Sequence, residues 1–129
     1  MSQTSSSPRR VVITGIGAVS PVGNTAAETW AALSAGRSGI GRITRFDASG
    51  CTAQIAGEVK NFEPAKALPT RLHPRGPGGE PVTAVFNGKD LKKFGRFTHL
   101  GAVAAVEAYA DSGLDAHRAS LDANRMGVN

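Results

Sequence analysis

The sequence predicts an α/β fold, and three observations carry that prediction. A β-branched run closed by glycine, RVVITG at residues 10–15, has the composition of a buried strand. A capped, amphipathic helical pattern follows it. A long helical stretch of small residues lies further along, at residues 96–112. Strand and helix signals that alternate along one chain point to mixed layers rather than to a helix bundle or a sheet sandwich.

Each element has a local cause. Residues 15–24, GIGAVSPVGN, hold three glycines and one proline, which makes a loop with tight backbone turns. Thr25 and Glu28 have the T-x-x-E spacing of a capping box. Ala26, Trp30 and Leu33 then fall on one apolar stripe, and Gly36 can leave the helix through the left-handed region. Residues 37–50 read as irregular, and AQIAGEV at 53–59 reads as a second strand. A short helix is expected near Pro64, since proline suits a first helical turn. Residues 69–88 are rich in Pro and Gly and read as an exposed loop, with room for a short strand at 82–86. A helical region resumes near Lys89.

The helix at residues 96–112, closed by Gly113, carries Gly101, Ala102, Ala104, Ala105, Ala108 and Ala110, with only Glu107 and Asp111 charged from residue 101 to 111. A surface helix normally shows a polar face. Small residues on two sides let neighbours approach closely, so a helix held between layers is expected; an Ala-rich surface helix selected for propensity is the competing reading. The final residues, RMGVN, read as the opening of a further strand whose backbone groups require continuation.

Composition narrows the function classes. The formal net charge is +5 with a pI near 10.0, which favours an acidic partner. Aromatic residues make up 5% of the chain, too few for the base-stacking platforms of single-strand nucleic-acid binders, so no nucleic acid is expected. Cys51 is the single cysteine, so neither an internal disulfide nor a thiolate metal cluster is expected, and a reducing cytoplasm fits. The first eight residues are polar and Ser-rich and read as a disordered tail; no signal-like apolar segment and no membrane span follow.

Three features invite a catalytic reading and fail it on chemistry. Gly15-Ile16-Gly17 follows a strand signal, but the third glycine of a dinucleotide fingerprint is replaced by Ser20, and Pro21 delays the helix. No nucleotide cofactor is expected. His73, His99 and His117 are far apart and lack ligand spacing, so no metal site is expected. Cys51 follows Ser49-Gly50 with no activating motif, and a lone cysteine is usually a small buried hydrophobe. Lys89, Lys92, Lys93 and Arg96 form a cationic run whose simplest reading is a solvated face.

The assembled motifs resemble the β-ketoacyl-acyl-carrier-protein synthase family, of the type II, long-chain kind. V-x-T-G-x-G-x-x-S-P-x-G-N spans Val12 and Asn24, and the F-D-x-S phrase runs from Phe46 to Ser49. The resemblance resumes at KKFGRFTHLGAVAAVEAYADSGL and covers most of the chain. It departs at about residues 69–88, where this chain is longer and carries what reads as an insertion.

The resemblance implies the N-terminal part of a thiolase-like layered α/β fold at residues 9–129. It also implies an acyltransferase that condenses an acyl thioester with malonyl on acyl carrier protein, through a Cys nucleophile and two His residues, with no cofactor. Those three residues lie beyond residue 129 in the family, so no catalytic residue is expected here and the chain alone should be inactive. Lys89, Lys92 and Lys93 match positions where the family contacts acyl carrier protein. The family forms homodimers and serves fatty acid or polyketide synthesis. Two alternatives stand beside it: a non-catalytic partner of the chain-length-factor kind, which shares the same N-terminal signature, and a free-standing carrier-binding module.

Overall fold

The computed structural model describes residues 10–67, 89–125 and 127. The expected tail at residues 1–8, His73, the insertion at about 69–88 with its short strand, and residues 126, 128 and 129 of the expected final strand lie outside the described residues, while Arg125 belongs to a 3₁₀ turn.

The first helix, α1 (Ala26–Ser34), starts where its cap predicts: Thr25 is extended and its hydroxyl accepts the Glu28 N–H at 3.1 Å. The Glu28 carboxylate reaches back one residue further than a strict capping box, to the Asn24 N–H at 2.8 Å. Gly36 ends the helix with φ +67°. The strands β1 (Ile40–Arg42) and β2 (Ile55–Gly57) form an antiparallel pair in register Ile40 to Gly57 and Arg42 to Ile55. Then come α2 (Pro64–Ala67), α3 (Asp90–Lys93), α4 (Arg96–Asp111) and α5 (Leu114–His117), with short 3₁₀ turns at Arg118–Ser120 and Ala123–Arg125. Gly113 follows α4 with φ +65°, as a helix-closing glycine should.

Two strand assignments differ from the sequence reading. Residues 10–19 contain no strand: they join no ladder among the described residues, and Val11, Val12 and Ile13 are exposed. A β-branched run supplies the propensity, but a strand exists only where a second strand takes its hydrogen bonds. Conversely, β1 lies inside the stretch expected to be irregular, because Ile-Gly-Arg has little strand propensity of its own and becomes a strand by pairing with β2.

The 15–24 loop is the hinge of the packing. A Cβ on Gly17 would run into the Ala104 carbonyl oxygen, and one on Gly15 into that of Ala108. The GIG turn is therefore glycine because its backbone lies directly on the backbone of α4. The two acids of α4 then take up the loop's free N–H groups. Asp111 accepts Ile16 at 2.9 Å, and Glu107 accepts Ala18 at 2.9 Å and Ala26, the first residue of α1, at 2.8 Å. One carboxylate thus joins the loop, the positive end of α1 and α4.

Among the described residues the buried apolar side chains are Ala32, Ala48, Phe62 and Val103. The small-residue helix is accordingly covered on the side that meets the loop, while Gly101, Ala105 and Ala110 are exposed. The apolar stripe of α1 is also open, since Trp30 and Leu33 are both exposed.

Candidate functional site

The cationic run folds into a corner between two helices. Lys89 precedes α3 with helical backbone angles, and Lys92 and Lys93 occupy its last turn, all three exposed. Phe94 and Gly95 continue in extended conformation, and Gly95 caps α4, its carbonyl accepting the Thr98 and His99 N–H groups at 3.0 and 3.4 Å. A four-residue helix is thus joined to a sixteen-residue one by two extended residues. The first turn of α4 contains no acid to offset the positive end of its dipole, and that end is separated from Lys93 by two residues.

Arg96 departs from the reading of a solvated charge. It is half-buried, its Nη2 donates to the Val59 carbonyl at 3.0 Å, and its guanidinium carbon stands 5.3 Å from the centroid of the buried Phe62 ring. It forms one wall of a cleft of ≈ 290 Å³ whose other charged walls are Arg45, Lys60, Glu58 and Glu63. The sequence did not separate Arg96 from its lysine neighbours, because both of its partners lie more than thirty residues earlier.

Glu58 organises the far side of that cleft. Its carboxylate accepts the Thr44 hydroxyl at 2.7 Å, the Thr44 N–H at 3.1 Å and the Arg45 N–H at 3.2 Å. These bonds, the Thr44 hydroxyl foremost, hold the carboxyl below its ordinary pKa. Asp47 is lowered likewise, chiefly by the backbone N–H of Ser49. Both arrangements fasten turns.

The remaining candidates assemble no further site. Cys51 is exposed, not buried as a lone cysteine was expected to be; it sits in a turn where its N–H donates to the Ala48 carbonyl at 2.9 Å. His117 ends α5 and is exposed, and the Nε2 of His99 is enclosed without a hydrogen-bond partner among the described residues. Among the described residues, no three His, Cys, Asp or Glu are grouped to hold a metal ion, and no helix is long and apolar enough to cross a membrane. A second, larger groove of ≈ 660 Å³ runs between α1 and α4, lined by Ile16, Trp30 and Leu33 with Glu107 and Asp111 at its edge.

Comparison with known proteins gives one consistent answer. The family model described as "Beta-ketoacyl synthase, N-terminal domain" matches residues 8–129. The chain is 41% identical over 120 residues to the 3-oxoacyl-[acyl-carrier-protein] synthase 2 of Coxiella burnetii, covering 93% of this chain and 24% of that protein. The protein of the same name from a Synechocystis strain is 37% identical over the same length, with the same coverage. A solved structure, the ishigamide ketosynthase/chain length factor, superposes with a TM-score of 0.61 at 32% identity, covering 94% of this chain and 24% of that one. The chain therefore spans about a quarter of the length of these relatives.

Proposed function

Since the chain belongs to the β-ketoacyl synthase family through its N-terminal domain, we propose that it serves a type II synthase that condenses an acyl thioester with malonyl carried on acyl carrier protein. Its fold is the N-terminal portion of the thiolase-like layered α/β fold. The synthase name of the curated relatives favours this reading over a non-catalytic partner subunit. We place none of the reacting groups in residues 1–129; the role of this portion is to frame the fold and to meet the carrier. The same reading takes residues at about 69–88 as an insertion that makes this chain longer there than family members usually are, the assembled enzyme as a homodimer and its compartment as the cytoplasm.

The observation that carries the docking role is the cationic corner. Lys89, Lys92 and Lys93 are exposed beside the positive end of α4, with no acid in that helix's first turn. Such a corner suits an acidic protein surface, and exposed lysines act mainly on the encounter rate and its salt dependence.

Two measurements test the proposal. A type II acyl carrier protein, fluorescently labelled, should bind the 129-residue chain more weakly as salt rises, and the double variant K92E/K93E should bind it about tenfold or more weakly. Binding unchanged by the charge reversal removes the docking role. A radiolabelled malonyl-to-ketoacyl assay on the chain alone should give no product above a protein-free blank; turnover there contradicts the placement of the reacting groups.

A further inference from the structure

The position of Arg96 breaks a local rule. A cation at the first residue of a helix opposes the helix dipole, and nothing acidic in the first turn of α4 offsets it. Residues that violate local preference are retained where a specific contact compensates. Here the contact is tertiary. The guanidinium spans from the start of α4 to the 59–62 segment, donating to the Val59 carbonyl at 3.0 Å and standing 5.3 Å from the Phe62 ring centroid. Phe62 is itself buried, so the ring is a fixed platform rather than a mobile surface group.

The segment that Arg96 grips is anchored in turn. Asn61 holds φ +52°, and the Lys60 and Asn61 carbonyls accept the Asn24 side-chain amide at 3.1 and 3.4 Å. The chain from Arg96 back through Gly95 and Phe94 leads directly to Lys93 and Lys92, with only two extended residues between the helices. A link so short transmits the orientation of the α4 terminus to α3. The grip on Val59 and Phe62 is thus one of the contacts that fix the end of α4 to which α3 is joined.

We propose that Arg96 is a positioning residue for carrier docking: by clamping the start of α4 onto Val59 and Phe62 it fixes the direction in which Lys92 and Lys93 present their charge. The inference rests on the carrier-docking reading of those lysines and adds a residue that does not itself touch the carrier. Arginine is required for geometry as well as charge, because a planar guanidinium can lie over a ring while donating in its own plane, and an ammonium cannot.

The test separates position from charge. In the full 129-residue chain, R96K and F62L should each weaken binding of labelled acyl carrier protein about three- to tenfold while leaving the slope of affinity against salt unchanged, since the charge count is unaltered. The double variant F62L/R96K should bind no more weakly than R96K alone, because both remove one contact. A direct readout uses the single native cysteine. Spin labels at Cys51 and at K92C should give a narrow distance distribution that broadens with R96K or F62L, with circular dichroism confirming retained helix. Wild-type affinity in R96K and F62L, or an unbroadened distribution, overturns the inference while a weakened K92E/K93E variant leaves the docking reading standing. Loss of that reading shows differently: K92E/K93E then binds like wild type, or the unmodified chain does not bind the carrier, and the inference falls with it.

Discussion

Adding one methyl at Gly17 drives a Cβ into the Ala104 carbonyl oxygen, whereas at Gly101 it meets nothing within 4 Å. The same substitution should therefore have opposite signs at two glycines of one small molecule. Gly17→Ala forces loop and helix apart and should cost about 1–3 kcal/mol or more, as overpacking against unyielding backbone does. Gly101→Ala lies in the interior of α4 and should stabilise by about 0.5–1 kcal/mol, by reducing the freedom of the unfolded chain. Urea unfolding followed by circular dichroism reads both; a Gly17→Ala variant as stable as the parent refutes the close approach. Glu107 is the other residue on which this contact depends. Its replacement by Ala leaves the Ala18 and Ala26 N–H groups without their acceptor. The cost should be about 1.5–3 kcal/mol, with Glu107→Gln milder because an amide oxygen still accepts. Equal stability of E107A and the parent in the same unfolding experiment removes this role.

The β1–β2 hairpin depends on a carboxylate in a way that pH exposes. Glu58 is held below its ordinary value of 4.5 by the Thr44 hydroxyl and then by backbone N–H groups. A carboxyl with a lowered folded-state pKa stabilises the fold above its ordinary value, and that stabilisation is lost as pH falls through the lowered one. The Thr44 and Arg45 amide resonances should then titrate together in acid with a midpoint below that of an unbonded glutamate, and Glu58→Gln should abolish the transition. A midpoint at or above the ordinary value would sink this account. Legibility from sequence divides along the same line between local and distant causes. The helices α1 and α4 were readable because Thr25, Gly36 and Gly113 act within a few residues of themselves. The strand β1 was not, because its hydrogen-bond partners are supplied by β2. Residues 10–15 mislead for the complementary reason: their propensity is strong and their ladder partner is absent among the described residues. In the candidate site the three lysines were legible as charges, while Arg96 was not legible as a clamp, since Val59 and Phe62 approach it only after folding.

Taken as a whole, the chain combines a net charge of +5 with a large amount of open apolar surface. Val11 is 93% exposed, Phe97 81% and Trp30 72%, and Ile13, Ile16 and Leu33 are exposed as well. Two forces therefore oppose each other between copies. Apolar patches of this kind favour association, whereas like charge keeps molecules apart over roughly a Debye length, about 10 Å at 0.1 M salt. Salt weakens the repulsion and leaves the apolar attraction intact, so self-association of the isolated chain should increase as salt rises. Carrier binding should run in the opposite direction, because there the charges attract. Trp30 is the single tryptophan and lies on the exposed groove of α1, so its emission reports the first process directly. Sedimentation equilibrium across a salt series should show growing mass, accompanied by a blue shift of the indole from its water-exposed position. Trp30→Lys should reduce both the association and its salt response. A chain that stays monomeric with water-exposed emission across the whole series would show that these residues do not form a working apolar surface, and the opposite salt dependences of the two processes would have to be given up.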